Sequence, residues 1–369
     1  MINLNRLIDN FIEDITIDSE SFNEGLYGDH IKSKLIGLGF EIIPDDTGSR
    51  IGSNGNNIIA RRLGEKEGPY LGLCAHLDTV KPGVGITAEI IDDVIYSAGD
   101  TILGADDKAG INMILEVLTC AIENNIPLCP IEVFFSICEE SGILGSKDIN
   151  GLLAHNYYVL DGTGDPGEVL ISGPANNQIN ISVQGKPAHA GLCPEAGISA
   201  IEVVSSAISK MNLGRIDKAT TANIGTITGG VANNIVCPSV SLTAEVRSLH
   251  KSSLDKQTNH MKSVLDTECH DYGAKYDYSV DTIYDAFSVA SDDSFLVYTQ
   301  GIIKDMNLPY AALPCGGGSD ANHLSSKGVT PLILGIGIKD CHTSNEHISL
   351  KNLKEGAELT YNLIMNYCL

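Results

Sequence analysis

Short apolar runs that end in polar, glycine-containing turns recur along the chain, with longer helical patterns between them. The runs cover residues 70–76, 131–138 and 157–160, and a helical pattern of apolar positions covers residues 111–121. Short buried strands that alternate with helices are typical of an α/β fold. Ligands of such folds bind outside the carboxyl ends of the strands. The pattern therefore predicts an α/β domain with a functional site at that end of its sheet.

The pattern changes between residues 177 and 281. Its elements follow the order β-α-β-β-α-β, at residues 179–183, 196–211, 223–228, 240–247, 252–272 and 276–280. This order is that of a ferredoxin-like unit. Candidate ligand residues lie both before and after this segment. We therefore predict a lid domain at residues 177–283 that is inserted into a discontinuous catalytic domain, whose two parts are residues 1–176 and 284–369.

Charge and cysteine usage narrow the class of protein. The 369-residue chain carries 47 acidic and 24 basic side chains, a formal net charge of −23. Because phosphate binding needs clustered cations, we expect neither nucleic acid nor an anionic membrane as a partner. No apolar run approaches the ~18 residues of a membrane helix, and the amphipathic N-terminal helix has no cationic start or cleavage site. The ten cysteines are scattered without a Cys-x-x-Cys pair, which is typical of a reducing, cytoplasmic location.

Histidines and carboxylates cluster where these strands are expected to end. Imidazole and carboxylate groups bind zinc-like cations, and two cations a few ångströms apart need a shared carboxylate with further ligands on each side. The chain offers such a set, which predicts a two-metal hydrolase site. The residues are His76, Asp78, Asp106, Asp107, Glu139, Glu140, Asp161 and His342.

Single members of this set have simpler explanations. Asp106 and Asp107 precede a helical pattern, where a capping aspartate is common. Asp107 can be that cap, but two adjacent aspartates are more than capping needs, and a carboxylate with two oxygens can bridge two cations. Glu139-Glu140 is either a charged pair that closes a strand or a ligand beside a general base. Asp320 and His323 are further ligand candidates, and the glycine-rich segment 316–320 lacks the lysine and the spacing of a phosphate loop, so we expect a tight turn at the substrate site.

Five segments, in this order, resemble those of the co-catalytic di-zinc exopeptidases, a family that includes peptidase T, aminoacylases, glutamate carboxypeptidase and succinyl-diaminopimelate desuccinylase. They lie at residues 75–80, 103–110, 139–142, 160–162 and 187–191. The strongest likeness is to the peptidase T-like branch, and it extends over essentially the whole chain. It implies a catalytic domain with a mixed central sheet flanked by helices, and an inserted ferredoxin-like α+β lid domain.

The resemblance also implies a role for each residue. His76, Asp106 and Asp161 would bind one Zn²⁺, or another divalent cation in vivo, and Asp106, Glu140 and His342 would bind the second. Asp78 would orient His76, and Glu139 would be the general base that acts on the water between the metals. A cis peptide bond would follow Asp106. In the lid, His189 would stabilise the tetrahedral intermediate, while Asn234 and Arg247 would bind the substrate.

The leading prediction is a cytoplasmic zinc tripeptidase or aminopeptidase that hydrolyses short peptides. The segment 341–347 is shorter than in peptidase T and more similar to aminoacylases and carboxypeptidases. A deacylase of N-acyl amino acids and a carboxypeptidase therefore remain alternatives. A binding protein that has lost catalysis is disfavoured, because the five metal ligands and Glu139 are all present. In relatives the lid can carry a homodimer contact, which leaves a homodimer open here.

Overall fold

The computed structural model describes residues 2–367. The helices are α1 (Leu4–Ile15), α2 (Gly25–Gly37), α3 (Thr47–Ile51), α4 (Ala105–Glu123), α5 (Ala200–Lys210), α6 (Lys251–Tyr272), α7 (Ser294–Asp305), α8 (Asp320–Ser326) and α9 (Leu350–Met365), with a 3-10 turn at Pro194–Ala196. The strands are β1 (Glu41–Ile43), β2 (Ile58–Arg62), β3 (Leu71–His76), β4 (Ala88–Ile91), β5 (Val94–Ser97), β6 (Ile131–Ser136), β7 (Asn156–Gly162), β8 (Glu168–Gly173), β9 (Ala175–Gln184), β10 (Gly214–Arg215), β11 (Thr220–Gly229), β12 (Ser239–Ser248), β13 (Lys275–Tyr284), β14 (Phe287–Ser288), β15 (Ala311–Pro314), β16 (Thr330–Gly335), β17 (Ile338–Lys339) and β18 (His347–Ser349).

The chain forms two compact units. The catalytic domain, as we call the larger unit, comprises the chain up to Gly173 and from Ser288 onward. The inserted domain comprises Pro174–Phe287. The predicted boundaries follow residues 176 and 283, whereas in the structure the chain passes between the units after Gly173 and after Phe287.

The catalytic domain is built on a nine-stranded mixed sheet. Its path is β1-β2-β6-β3-β7-β16-β8-β14, and β15 pairs with β8. The neighbours β6, β3, β7 and β16 are parallel to one another, and every residue of β3 and β6 is buried. Continuous apolar runs are expected of strands that are covered on both faces. The predicted mixed central sheet with flanking helices is thus confirmed.

Helix α4 lies unusually close to strand β7. A Cβ added at Gly110 of α4 would lie 2.3 Å from the carbonyl oxygen of Leu160 in β7 and 2.4 Å from Asp107 Oδ1. Only glycine fits such a close approach. The helix packs deeply in the core, with almost all of its residues buried. Its first turn is thereby held against the strand that carries Asp161.

The inserted domain has the predicted ferredoxin-like fold. Its antiparallel sheet has the order β10-β11-β12-β9-β13, and α5 and α6 connect its strands in the predicted β-α-β-β-α-β sequence, with the two-residue strand β10 as an addition. The alternating residues Ile179, Ile181 and Val183 of β9 are buried. Val280, in the edge strand β13, is 39% exposed. None of the helices formed by residues 2–367 combines the length and apolar character needed to cross a bilayer.

Candidate metal centre

Six of the predicted site residues come together at the carboxyl ends of the parallel strands. His76 ends β3, Asp161 lies near the end of β7, and the pair Glu139-Glu140 follows β6. Parallel strands end at the same side of the sheet, which is where ligands of α/β proteins bind. These residues line one cavity of about 380 Å³ in the catalytic domain: His76, Asp106, Glu139, Glu140, Asp161 and His342.

The carboxylate of Asp106 lies between two histidines. Its Oδ1 is 3.1 Å from His76 Nε2, and its Oδ2 is 3.2 Å from His342 Nε2. His342 Nε2 is also 2.8 Å from Glu140 Oε1, and His76 Nε2 is 3.8 Å from Asp161 Oδ1. Each oxygen of one carboxylate thus faces a different imidazole, and each imidazole faces a second carboxylate. This donor set fits a pair of zinc-like cations with one shared ligand.

Two groups of ligand atoms, each within 4.8 Å of one another, could hold a cation among the described residues. One group is His76, Asp106 and Glu140, and the other is His76, Asp107 and Asp161. The second group contains Asp107 where the predicted ligand set has Asp106. Asp107 Oδ2 accepts the backbone N–H of His76 at 3.1 Å, so it already holds strand β3. Only the two oxygens of Asp106 face both histidines, which favours Asp106 over Asp107 for the predicted shared position.

The backbone around Asp106 leaves regular helix geometry. Asp106 (φ −85°, ψ 99°) and Asp107 (φ −124°, ψ 31°) are both non-helical, and the bond between them is cis, which confirms that prediction. The structure does not assign Asp107 to capping. Its Oδ2 bonds to His76, and its Oδ1 has no hydrogen-bond partner among the described residues.

Asp78 connects the first histidine to the Glu139-Glu140 pair. His76 Nδ1 is 2.8 Å from the backbone carbonyl of Asp78, and 3.6 Å from its carboxylate. That carboxylate instead accepts the N–H groups of Glu139 at 2.9 Å and Glu140 at 3.2 Å, and the hydroxyl of Ser21 at 2.6 Å. Asp78 can therefore fix the ring of His76 through its main chain and both glutamates through its side chain.

Burial and like charges shift the protonation of the site. Burial raises the pKa of Glu139 well above its ordinary range, and the neighbouring carboxylate of Asp161 adds to the effect. Burial opposes protonation of His76, yet the surrounding carboxylates raise its pKa well above the usual value. Hydrogen bonds to Asp106 and Glu140 raise the pKa of His342 to about 10. Two cations would relieve this excess of negative charge and displace the histidine protons.

Three predicted substrate residues belong to the inserted domain. Segments 188–190 and 234–236 pair with each other, with Ala190 N–H donating to Asn234 O at 2.9 Å, so His189 and Asn234 are neighbours. His189 Nδ1 accepts the N–H of Gly191 at 3.2 Å, which leaves the proton of a neutral ring on Nε2. Arg247, on β12, donates to Glu245 Oε2 at 3.0 Å.

Asp320 and His323, the remaining ligand candidates, belong to neither cation group in the described part of the chain. Asp320 Oδ2 accepts the hydroxyl of Ser136, the last residue of β6, at 2.5 Å. Ser319 caps α8. The glycine-rich segment that precedes it lines the same cavity as the candidate metal ligands.

The sequence reasoning assigned no role to Glu346 and Lys108. Glu346 is 1% exposed, and its carboxylate accepts three backbone N–H groups of the loop that carries Asp106. Lys108 is fully buried and donates to the carbonyls of Asp14 and Ile17. The available signal was a charged side chain close in sequence to a predicted ligand, since Lys108 follows Asp106 by two residues and Glu346 follows His342 by four.

Comparisons with known proteins agree with this geometry. Two family models match: the peptidase dimerisation domain over residues 176–273, and peptidase family M28 over residues 57–185. The uncharacterized protein YqjE of Bacillus subtilis (strain 168) is 35% identical over 366 residues, 99% of each chain.

Two solved structures are similar along nearly their full length. The aminopeptidase PepT from Bacillus cereus ATCC 10987 is 37% identical with a TM-score of 0.92, over 99% of this chain and 98% of that one. A tripeptidase from Staphylococcus aureus subsp. aureus Mu50 is 36% identical with a TM-score of 0.96, again over 99% and 98%. With its metal-ligand clusters, its dimerisation-domain match and these full-length likenesses, the chain belongs to the M20 family of metallopeptidases, in its peptidase T-like branch.

Proposed function

We propose that this protein is a zinc-dependent exopeptidase that removes residues from short peptides with a free amino terminus. The observation that carries the proposal is the carboxylate of Asp106, whose two oxygens face His76 and His342 at 3.1 and 3.2 Å. A carboxylate in that position can be shared by two cations. His76 and Asp161 would complete one set of ligands, and Glu140 and His342 the other.

In the proposed mechanism Glu140 is a metal ligand and Glu139 is the general base. When bound, two divalent cations would polarise the scissile carbonyl and lower the pKa of the attacking water. The Oε1 atom of Glu140 is 2.8 Å from His342 Nε2, and Glu140 would serve as a ligand. Glu139 lies beside it, buried, with a raised pKa. Such a carboxylate is suited to take a proton from water and to deliver it to the leaving amine.

The inserted domain would supply substrate contacts. A neutral His189 carries its proton on Nε2, so it can donate a hydrogen bond to a developing oxyanion. Asn234 adjoins it through the paired segments. Arg247 can bind a substrate carboxylate by a bidentate, charge-assisted pair. These roles favour short peptides with a free carboxyl terminus.

The oligomeric state and location are further parts of the proposal. The match to a peptidase dimerisation domain over residues 176–273 supports a homodimer formed through the inserted domain. The cysteines of residues 2–367 form no disulfide, which supports a cytoplasmic location. Nucleic acid and membranes are not proposed as partners, because the net charge of −23 disfavours anionic surfaces.

Metal analysis combined with three matched substrates tests the proposal. Zinc-loaded protein is offered a tripeptide with free ends, the same tripeptide with an amidated carboxyl terminus, and an N-acyl amino acid. We expect two zinc ions per chain and rapid hydrolysis of the free tripeptide alone. Turnover of only the N-acyl amino acid would establish the deacylase alternative. With an N-blocked tripeptide as a fourth substrate, release of its carboxyl-terminal residue would establish a carboxypeptidase. Two bound zinc ions without any hydrolysis would favour a binding protein.

A further inference from the structure

Glu346 links the loop of the shared ligand Asp106 to the segment of His342. Its Oε1 accepts the N–H of Asp106 at 2.9 Å, and its Oε2 accepts the N–H groups of Leu103 and Gly104, each at 2.9 Å. Four residues earlier in the chain, His342 Nε2 contacts Asp106 Oδ2 at 3.2 Å. Two segments that lie 240 residues apart in the sequence are therefore joined by two contacts. One is between the side chains of His342 and Asp106, and the other is between the carboxylate of Glu346 and the backbone of the 103–106 loop.

Glu346 is itself held firmly. It is 1% exposed, its N–H donates to the carbonyl of Thr343 at 3.1 Å, and β18 begins at the next residue and pairs with β5. The segment between His342 and Glu346 is thus a short turn fixed at its far end to a sheet. Movement of the 103–106 loop relative to this turn would stretch three hydrogen bonds at once.

General stabilisation alone does not explain this arrangement. A buried carboxylate costs several kcal/mol of desolvation unless its oxygens are satisfied, and within residues 2–367 Glu346 forms no ion pair with a lysine or arginine. Both of its carboxylate oxygens accept hydrogen bonds from backbone N–H groups of the 103–106 loop. Leu103 and Gly104 precede α4 and Asp106 lies in its first turn, so their N–H groups have no acceptor within the helix. Glu346 satisfies them instead.

We propose that Glu346 is a positioning residue that sets the distance between Asp106 and His342, and thereby the affinity and spacing of the two cations. This inference rests on the proposed metal site. Residues that orient metal ligands typically change metal affinity or activity by 10–100-fold when substituted. The same range is expected for Glu346, with little effect on substrate binding.

Two substitutions of Glu346 distinguish the effect of its hydrogen-bonding geometry from the effect of its charge. Glu346→Gln keeps the size but places an NH₂ group against at least one of the three backbone N–H groups. Glu346→Asp keeps the charge but shortens the side chain by one methylene, so the carboxylate no longer reaches both sides of the loop. If charge alone mattered, Glu346→Asp would resemble the wild type. Positioning predicts that both variants lose function.

Glu132 provides a matched control. It is also fully buried in the catalytic domain, and it accepts the N–H groups of Leu153 and Ala154 at 2.9 and 3.0 Å, together with the hydroxyl of Tyr157 at 2.6 Å. Unlike Glu346, it also forms an ion pair, with Arg61 at 2.7 Å. None of these partners is a proposed metal ligand. Glu132→Gln should lower the melting temperature as Glu346→Gln does, while leaving metal affinity near the wild-type value.

The experiment measures the zinc affinity of the wild type and the variants by competition with a chromophoric chelator. The temperature is kept well below the lowest melting temperature among these proteins. Values of kcat and KM are measured on a free tripeptide. We expect both Glu346 variants to bind the more weakly held zinc ~10–100-fold less tightly, to lose kcat at saturating zinc, and to keep KM near wild type. Wild-type zinc affinity in both Glu346 variants, or an equal loss in Glu132→Gln, would overturn the inference. Because zinc affinity is measured without substrate, absence of peptide hydrolysis in the wild type would refute the proposed function and leave this test intact.

Discussion

The carboxylate of Asp78 accepts the backbone N–H of Glu139 at 2.9 Å, and its other oxygen accepts the next N–H, of Glu140, at 3.2 Å. Asp78 follows β3, and the two glutamates follow the neighbouring parallel strand β6. One buried side chain therefore fixes the general base candidate and a metal ligand candidate to the strand that carries His76. The backbone of both glutamates is thereby tied to the segment that follows His76.

This relationship predicts that Asp78→Asn impairs catalysis more than folding. The amide keeps the shape of the side chain but replaces one of the two acceptors with a donor, so one glutamate N–H loses its partner. We expect kcat to fall by ~10–100-fold with little change in KM, measured by steady-state kinetics on a tripeptide. Ser21→Ala, which removes only the hydroxyl bonded to Asp78 Oδ2, should have a much smaller effect. Equal losses in both variants would contradict a role in holding the glutamates.

A second prediction concerns the proton transfer assigned to Glu139. General-base catalysis typically contributes ~10²–10⁴ in rate, so Glu139→Gln should lower kcat by at least that factor. Metal content, measured by atomic absorption, should stay near two per chain, because Glu139 is not among the proposed ligands. Glu140→Gln is the matched comparison, since the adjacent carboxylate contacts His342 and its loss should reduce metal content. A Glu139→Gln enzyme with near wild-type kcat would require another base.

The third prediction tests the sharing of Asp106. Asp106→Ala should abolish binding of both cations, whereas Asp161→Ala should chiefly affect the one bound with His76. Isothermal titration with zinc gives the stoichiometry of each variant directly. Chelation of the wild-type protein should abolish activity, and added zinc should restore it. If Asp106→Ala still bound one zinc with wild-type affinity, Asp107, which belongs to one of the two observed ligand groups, would be the better candidate for that site.

Local sequence patterns were sufficient to predict where several candidate ligands lie in the fold. His76, Glu140 and Asp161 follow apolar runs that do become adjacent parallel strands. The orienting atom of Asp78 could not be predicted, because the choice between its carbonyl and its carboxylate depends on the turn after β3. Glu346 contacts a loop 240 residues away, which local patterns do not reveal. Likewise, Val280 lies at a sheet edge, and strand order rather than alternation decides its exposure.

A fourth prediction is that zinc binding releases protons near neutral pH. In the metal-free site the pKa of His342 is raised to about 10, and that of His76 lies well above its usual range. Both imidazoles therefore hold protons at neutral pH, and a cation must displace them because it binds the neutral ring. Zinc affinity should accordingly rise with pH between about pH 6 and 8, by about tenfold per pH unit for each proton released. Titration calorimetry in buffers of different ionisation enthalpy measures that number, and identical heats in all buffers would exclude proton release.

The fifth prediction concerns Gly110, where the backbones of α4 and β7 approach most closely. A methyl group there would lie 2.3 Å from the carbonyl oxygen of Leu160 and 2.4 Å from Asp107 Oδ1, so Gly110→Ala must push the helix away from the strand. Overpacking of this kind costs ~1–3 kcal/mol of stability, and the shift would also move Asp106 relative to Asp161. We expect a lower melting temperature together with weaker zinc binding. Gly301, an exposed position of α7 with open space where a Cβ would stand, is the control: Gly301→Ala should stabilise the protein by up to ~1 kcal/mol through helix propensity, with unchanged zinc affinity. Unfolding by heat and denaturant measures the stability of both variants, and titration with zinc measures their affinity. A Gly110→Ala protein with wild-type stability and zinc affinity would show that the close approach is not required for the site.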